Sequence, residues 1–402
     1  MKYLFLTNYF YPEFFRGNDI AFDLASKGHD VTVITNIPNY PRGKYFDGYG
    51  LFKRRREVVN GVKVIRVPVI PRGQGRHYEM VLNYVSGTFF VSLYTLFYAL
   101  FNRFDAIIVQ ELSPVFIGIP AVIAKWIRRK PIVFWILDIW PESLAAGGIK
   151  NKQVISFVNG IVKWIYRHCD KLLISSLGFR RKLHAQGVPD EKIIYFPNWC
   201  EDDIFNKNEE YKVPDIPDGF KIMFAGNIGA AQNFENILKV AKRLSHINDL
   251  KWIIVGDGRY RHKIEEFIEK NNMQDKICLV GRHPIDAMPL FFEKADVMLV
   301  SLCDNPAFNL TLPAKVQAYM ACKKPIIGML NGEGKETIEY IKCGYAADAN
   351  DVERMCELIV KLKETPQEVL EEMGNRGYQY YLDNFQKKLC MSNLEEILKE
   401  VH

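Results

Sequence analysis

Apolar residues along this chain come in short unbroken runs, separated by stretches with helical periodicity. Residues 3–7 (YLFLT) and 31–35 (VTVIT) are runs of the kind that make strands buried on both faces of a parallel sheet. Between them, Asn18 to Lys27 predicts a helix, closed by Gly28 just past its last turn. A turn-rich stretch from Ile37 to Gly50 follows. Further strands are expected at 62–69, 106–109, 132–137, 171–175 and 193–196, with helices at 115–128, 151–168 and 178–186. This alternation predicts a doubly wound α/β sheet. After Asn206–Gly219, a polar, Pro-bearing stretch suited to a linker, a second series begins. Its strands are expected at 221–225, 252–256, 277–280, 297–301 and 325–329, with amphipathic helical sequence from Val352 to the end. The expectation is two Rossmann-like domains, 1–200 and 201–385, facing a cleft. A terminal helix, 386–402, would pack back on the first domain.

The segment Val81–Phe101 stands apart, with 21 residues and no charge, about long enough to cross a bilayer as a helix. A single crossing would put strands of one sheet on opposite sides of the membrane, so a spanning role is not expected. Asn83, Ser86, Thr88, Ser92 and Thr95 also dilute its apolar character. The alternatives are a helix buried against the sheet and an in-plane helix, rich in Phe and Tyr, at a lipid interface. Charge favours the interfacial one. Residues 1–200 hold 27 Lys/Arg against 14 Asp/Glu, a balance of +13, while 201–402 hold 26 against 33, a balance of −7. Ten of the basic residues fall between Arg42 and Arg76, including Lys53-Arg54-Arg55-Arg56. Such clustering favours a surface with a partner, nucleic acid or an anionic membrane leaflet, over a merely solvated face.

Composition narrows the class without naming a reaction. With 48% apolar and 25% charged residues the chain reads as soluble and globular. The eight cysteines are scattered without a C-x-x-C pair, which argues against a zinc site or disulfide framework and fits a reducing cytosol. The apolar run before Asn8 is too short for a signal-peptide core and reads as a first strand.

Candidate chemistry concentrates in the second half. Phe224-Ala225-Gly226-Asn227-Ile228-Gly229 and Ile253-Ile254-Val255-Gly256-Asp257-Gly258 are strands that end in glycine turns. A third run, Val297 to Leu302, leads to a helix opening with Pro313-Ala314-Lys315. Glycine turns that feed helices from strand ends are where open α/β sheets bind nucleotides and phosphates. A nucleotide-sugar site is therefore expected. Gly226 and Gly229 permit close backbone approach to phosphate. A cation at a helix N-terminus is unfavourable unless an anion is near, which marks Lys315, and Arg282 after the strand 277–280 offers further charge.

Taken in order, several motifs resemble those of GT-B glycosyltransferases of glycosyltransferase family 4, and more narrowly the fucosaminyltransferase-type enzymes of capsule and O-antigen assembly. They are Tyr9-Phe10-Tyr11-Pro12-Glu13, Gly28-His29-Asp30-Val31-Thr32-Val33, Pro38-Asn39-Tyr40-Pro41-Arg42-Gly43, Asp138-Ile139-Trp140-Pro141-Glu142-Ser143, Gly226-Asn227-Ile228-Gly229, Gly256-Asp257-Gly258 and Leu312-Pro313-Ala314-Lys315. The resemblance implies a GT-B fold and a retaining, metal-independent enzyme without cofactor. It would move a sugar, such as N-acetyl-fucosamine, from a UDP-sugar to an undecaprenyl-diphosphate-linked saccharide at the inner face of the cell membrane. It also implies a cytoplasmic, peripherally bound protein with no nucleic-acid partner. Many members carry an Arg and a Lys-Gly in the first turn of the second domain, where this chain has Asn227 and Gln232-Asn233. Many also carry paired glutamates at positions that fall near Leu310 and Ala318 here. Lys315 and Arg282 are thus expected to hold the diphosphate, with Asn227, Gln232 and Asp257 beside them. Glu333 or Glu336 would replace the ribose ligand. Gly17-Asn18, at the first strand-to-helix turn, would face the same diphosphate from the first domain.

On the acceptor side, Asp138 follows the buried run Ile132–Leu137, at a strand end where functional groups gather. It is the candidate for accepting the acceptor hydroxyl's proton or orienting the sugar, with Glu111 after strand 106–109 as the rival base. Trp140 would stack on a sugar face, with Glu142 beside it, and Pro38, Asn39, Tyr40 and Arg42 form a loop over the acceptor entrance. Two rival readings are a UDP-sugar 2-epimerase and a catalytically inert scaffold of the same architecture.

Overall fold

The computed structural model describes every residue except 147, 148, 150 and 201–206. Asn206, the first residue of the expected linker, lies outside the described residues. The chain divides into two compact units. One comprises Met1–Ser175, Phe179–Phe196 and Met391–His402, and the other Ser176–Gly178 and Pro197–Cys390. The last twelve residues thus belong with the first unit, where Glu395 pairs with Lys27 at 3.1 Å.

Among the described residues, the first unit is built on eight strands: β1 (Lys2–Thr7), β2 (Asp30–Asn36), β3 (Arg56–Val59), β4 (Val62–Val67), β5 (Ala106–Glu111), β6 (Ile132–Ile136), β7 (Lys171–Ile174) and β8 (Ile193–Tyr195). Their order is β3-β4-β2-β1-β5-β6-β7-β8, and all pairings are parallel except β3 with β4. The central strands are apolar throughout because helices cover both faces of a parallel sheet. Strand order reverses between β1 and β5, which makes that edge the topological switch point. The loops leaving β1, β2, β4, β5 and β6 all emerge on the same carboxyl edge.

The edge strand β3 was not expected. It folds back from β4 through Asn60 and Gly61, whose φ angles of 46° and 81° are those a two-residue hairpin turn requires. Its formation also divides the basic cluster. Lys53, Arg54 and Arg56 are exposed, whereas Arg55 donates to Tyr94 Oη at 2.8 Å. Arg66 is buried, pairing with Glu57 at 2.6 Å and donating to the Tyr11 carbonyl at 2.7 Å. Those two arginines hold the fold and are not a solvent-facing charge.

The apolar segment is the helix His77–Phe101, long and apolar enough by length and composition to cross a bilayer. It lies between β4 and β5, and β5 pairs with β1, so strands on both sides of it share one sheet. It packs on the helix Gly118–Arg128 and on β2. Its inward face is small or polar: Asn83, Gly87, Val91, Thr95 and Ala99, at every fourth residue, are all buried. Its large apolar residues point outward, with Val85 60%, Phe89 59% and Phe97 54% exposed. A core helix is patterned the other way round.

The second unit carries β9 (Phe220–Ala225), β10 (Leu250–Val255), β11 (Ile277–Gly281), β12 (Val297–Ser301), β13 (Ile326–Met329) and β14 (Gly344–Ala347). They form a parallel sheet ordered β11-β10-β9-β12-β13-β14, with its switch point between β9 and β12. Phe224, Trp252, Ile254, Leu299 and Met329 anchor its core against flanking helices.

Candidate active site

In the second unit, the glycine turns after β9 and β10 are stitched into one surface. Gly226 N–H donates to the Val255 carbonyl at 2.9 Å, Ile228 N–H to Asp257 O at 2.9 Å, and Tyr260 N–H to Ile228 O at 3.0 Å. The approach is so close that a Cβ on Gly256, whose φ is +141°, would lie 1.9 Å from the Gly226 carbonyl oxygen. Gly226 itself has φ +137°, and a Cβ there would meet Lys315 Cε at 2.7 Å. Only glycine fits both positions. Asp257 turns its carboxylate back to Gly258 N–H at 2.7 Å and so braces the turn.

These turns wall a cavity of about 1110 Å³ whose lining includes Gly226, Asn227, Gly256, Asp257, Gly258 and Arg282. Arg259 and His283 also line it. Sequence reasoning passed over both, although each directly follows a residue it had marked, and Arg259 extends the Gly256-Asp257-Gly258 turn.

Lys315 starts the helix Ala314–Ala321, with Pro313 as its N-cap. Its ammonium donates to Gln232 Oε1 and lies 4.2 Å from the Phe224 ring centroid. Burial pulls its pKa from 10.5 down to about 8. Gly226, Gly229, Asn227, Gln232 and Lys315 thus form one neighbourhood, since a Cβ on Gly229 would lie 2.9 Å from Asn227 Nδ2. Pro313 also abuts Gly334, the second residue of the helix Glu333–Ile341. Of the two candidate ribose ligands, Glu336 is exposed and Glu333 is buried. Backbone N–H groups of Gly178 and Leu177 donate to the Glu333 carboxylate, while burial raises its pKa. Glu336 is the one of the pair open to a ligand.

The remaining donor candidates, Gly17 and Asn18, belong to the first unit. A Cβ on Gly17 would lie 2.1 Å from Gln110 Oε1. The Asn18 amide is engaged at both ends, accepting from Tyr11 N–H at 3.1 Å and donating to the Glu13 carbonyl at 2.7 Å. Its visible work is to hold the loop after β1.

On the carboxyl edge of the first sheet, Asp138 is partly exposed and accepts hydrogen bonds from the hydroxyls of Ser113 and Ser143. Glu111 is fully buried and accepts the backbone N–H groups of Leu137 and Asp138 at 3.2 and 3.1 Å. Burial first, then the neighbouring Asp138, holds its carboxyl well above the ordinary range. A sealed carboxyl of that kind positions the Asp138 loop and is out of reach of an acceptor. Trp140 requires a correction, because it is 2% exposed and packs against Phe116, leaving no face for a sugar to stack on. Glu142 pairs with Lys182 at 3.0 Å, and among the described residues no hydrogen bond or ion pair joins it to Asp138. In the second loop, Pro38 and Asn39 are buried, while Tyr40 and Arg42 are exposed. Glu13 holds that loop, accepting from Asn39 and Tyr40 N–H at 2.9 and 2.7 Å. Burial raises the Glu13 carboxyl to about 7.

Comparison with known proteins settles the class. Residues 18–199 match the family profile described as glycosyl transferase 4-like domain, and residues 206–380 match glycosyl transferases group 1. The chain is a GT-B glycosyltransferase. It is 26% identical over 311 residues to a putative colanic acid biosynthesis glycosyl transferase, WcaI, of Escherichia coli, covering 74% of each protein. It is 21% identical over 209 residues to the amylovoran biosynthesis glycosyltransferase AmsK of Erwinia amylovora, covering 51% of this chain and 50% of that protein. Among solved structures, Anabaena Alr3699/HepE in complex with UDP superposes with a TM-score of 0.68 at 14% identity, covering all of both chains. Sucrose-phosphate synthase from Thermosynechococcus elongatus superposes at 0.72 with 13% identity, over 100% of this chain and 98% of that one. At such identities these two speak for the fold alone. The family matches are to transferases, and neither the epimerase nor the scaffold reading draws support from them.

Proposed function

We propose that this glycosyltransferase moves a sugar from a UDP-sugar onto a lipid-diphosphate-linked saccharide during assembly of a bacterial surface polysaccharide, at the inner face of the cell membrane. The observation that carries the donor half is Lys315 packed against Gly226 beside the cavity that the two glycine turns wall. A buried ammonium meeting backbone that admits no side chain suits a diphosphate leaving group. In this reading Lys315, Arg282 and backbone N–H groups stabilise the developing charge without a metal ion. The relatives named for colanic acid and amylovoran biosynthesis and the UDP bound by the Anabaena protein support the same assignment.

Reaction with retention would have the acceptor hydroxyl attack the anomeric carbon on the face the diphosphate leaves. The C–O bond to the diphosphate breaks as the new glycosidic bond forms. The hydroxyl proton passes to the departing diphosphate oxygen, with Asp138 orienting the acceptor. The membrane half rests on the inverted helix His77–Phe101 and on the exposed Lys53, Arg54 and Arg56. Apolar side chains facing out beside a basic cluster match the chemistry of an anionic lipid interface.

The test is incubation with radiolabelled UDP-sugars, UDP-N-acetyl-fucosamine first among them because of the family resemblance, together with bacterial membrane lipid extract. Label entering the lipid fraction is the expected result. Isomerised nucleotide with unlabelled lipid would replace transfer by epimerisation. If no donor in the panel reacts and UDP fails to bind, the donor assignment is wrong.

A further inference from the structure

The loop after β4 delivers a guanidinium into a cage of tyrosines on the carboxyl edge of the first sheet. Arg72 lies 5.3 Å from the ring centroids of each of Tyr9, Tyr40 and Tyr84. It donates from Nη2 to the Tyr9 hydroxyl and from Nε to Asn83 Oδ1 at 3.3 Å. Among the described residues no carboxylate pairs with it. The cage is built rather than incidental. Gly73 N–H donates to Gly43 O at 2.9 Å, tying the Arg72 loop to the Tyr40 loop, and Glu79 accepts Gln74 and Arg76 N–H at 3.0 and 2.9 Å.

A partly buried cation without a counter-charge is costly, and three aromatic faces recover only part of that cost. Nε and Nη2 each spend one hydrogen on the bonds to Asn83 and Tyr9, while Nη1 has no acceptor among the described residues, and the remaining N–H groups match phosphate oxygens. Tyr9 accepts from Arg72, and burial raises the pKa of both the Tyr9 and the Tyr84 phenol, so each keeps a hydrogen to donate. The surroundings select among anions. Tyr84 sits on the helix whose outward face is apolar, and Phe14 and Ile70 nearby in the chain are 93% and 47% exposed. Asp138, in the loop after β6, stands on the same carboxyl edge of the sheet as Tyr9 and Tyr40, in the loops after β1 and β2.

We propose that Arg72, with Tyr9, Tyr40 and Tyr84, clamps the diphosphate of the lipid-linked acceptor, so that the lipid tail leaves along the apolar helix face and the sugar reaches Asp138. This rests on the acceptor reading above.

The test holds the donor site filled with saturating UDP and titrates the full-length protein with farnesyl diphosphate, farnesol and inorganic pyrophosphate. Wild type should bind farnesyl diphosphate, and Arg72→Gln should weaken it about tenfold or more, the loss expected for one charged hydrogen-bonded contact. Arg72→Lys, which keeps the charge but loses the guanidinium, and Tyr84→Phe should fall between. UDP affinity and melting curves should match wild type throughout. Binding of farnesol as tight as farnesyl diphosphate, or an unchanged affinity in Arg72→Gln, overturns the clamp. Equal affinity for inorganic pyrophosphate overturns the lipid-linked source of the anion. In the radiolabel assay, Arg72→Gln should raise the KM for the lipid acceptor while leaving that for the UDP-sugar unchanged. If wild type labels lipid and the variant's acceptor KM is unchanged, the clamp alone is wrong. If wild type labels no lipid, the acceptor reading itself fails.

Discussion

Replacing Lys315 with methionine should stabilise the ligand-free protein while removing its hold on UDP. The side chain keeps most of its length, one atom short, and loses its charge. Burial lowers the ammonium's pKa from 10.5 to about 8, which is roughly 3 kcal/mol against the charged form at about 1.4 kcal/mol per unit. The Phe224 ring and the bond to Gln232 each offset about 1 kcal/mol of that. The remainder, about 1 kcal/mol at neutral pH, should appear as a rise in melting temperature of about 2–4 °C. The sign follows from proton binding. The unfolded chain keeps the lysine proton up to about 10.5 and the folded protein releases it near 8. Wild-type stability therefore climbs between those values, and the variant's advantage shrinks over the same window. UDP binding should behave in the opposite sense. Loss of one charge-assisted contact to the diphosphate, about 1.5–3 kcal/mol, predicts affinity weaker by about ten- to a hundredfold. In wild type, affinity should hold below about pH 8 and fall above it as the free lysine deprotonates, whereas Lys315→Met should be flat. Titration calorimetry with UDP at pH 7 and pH 9, beside thermal melts, reads all of these. A variant that binds UDP within twofold of wild type, or keeps the wild-type pH profile, would refute the reasoning.

Other consequences can be checked separately. Glu13 has its carboxyl raised from 4.5 to about 7 by burial, so its contribution to stability is full below about pH 4.5 and is lost as pH rises through 7. Glu13→Gln should flatten that dependence and lead wild type by up to about 3 kcal/mol at pH 8, read from urea midpoints at pH 5 and pH 8; parallel pH curves would count against it. Phe89→Ser with Phe97→Ser should leave the melting temperature nearly unchanged, since both side chains are more than half exposed, yet reduce sedimentation with anionic vesicles. Serines at Lys53, Arg54 and Arg56 should do the same at low salt, at about 1 kcal/mol per charge; undiminished sedimentation in either variant would remove the membrane assignment.

Much of the candidate donor site was legible because its information is local. A strand ending in Gly226-Asn227-Ile228-Gly229 or in Gly256-Asp257-Gly258 carries its turn geometry with it, and βα alternation sets which edge those turns occupy. The hairpin through Asn60-Gly61 was just as local, but the charged residues of β3 hid it from a search for apolar runs. Glu111 lies at a strand end as expected and Trp140 in the turn beyond one, but both were misjudged in exposure, because burial depends on what packs over a residue. Only the tertiary structure turned the apolar helix outward, its small and polar residues seated on β2, a choice that apolar content over 25 residues does not encode. The same holds for Arg72 and Tyr9, 63 positions apart in the chain and brought together by the order β4-β2-β1. Chain-local chemistry determined the fold and the glycine turns of the candidate donor site. Charge placement against distant aromatic and carboxylate groups was decided by packing, since burial and electrostatic fields act through space rather than along the sequence.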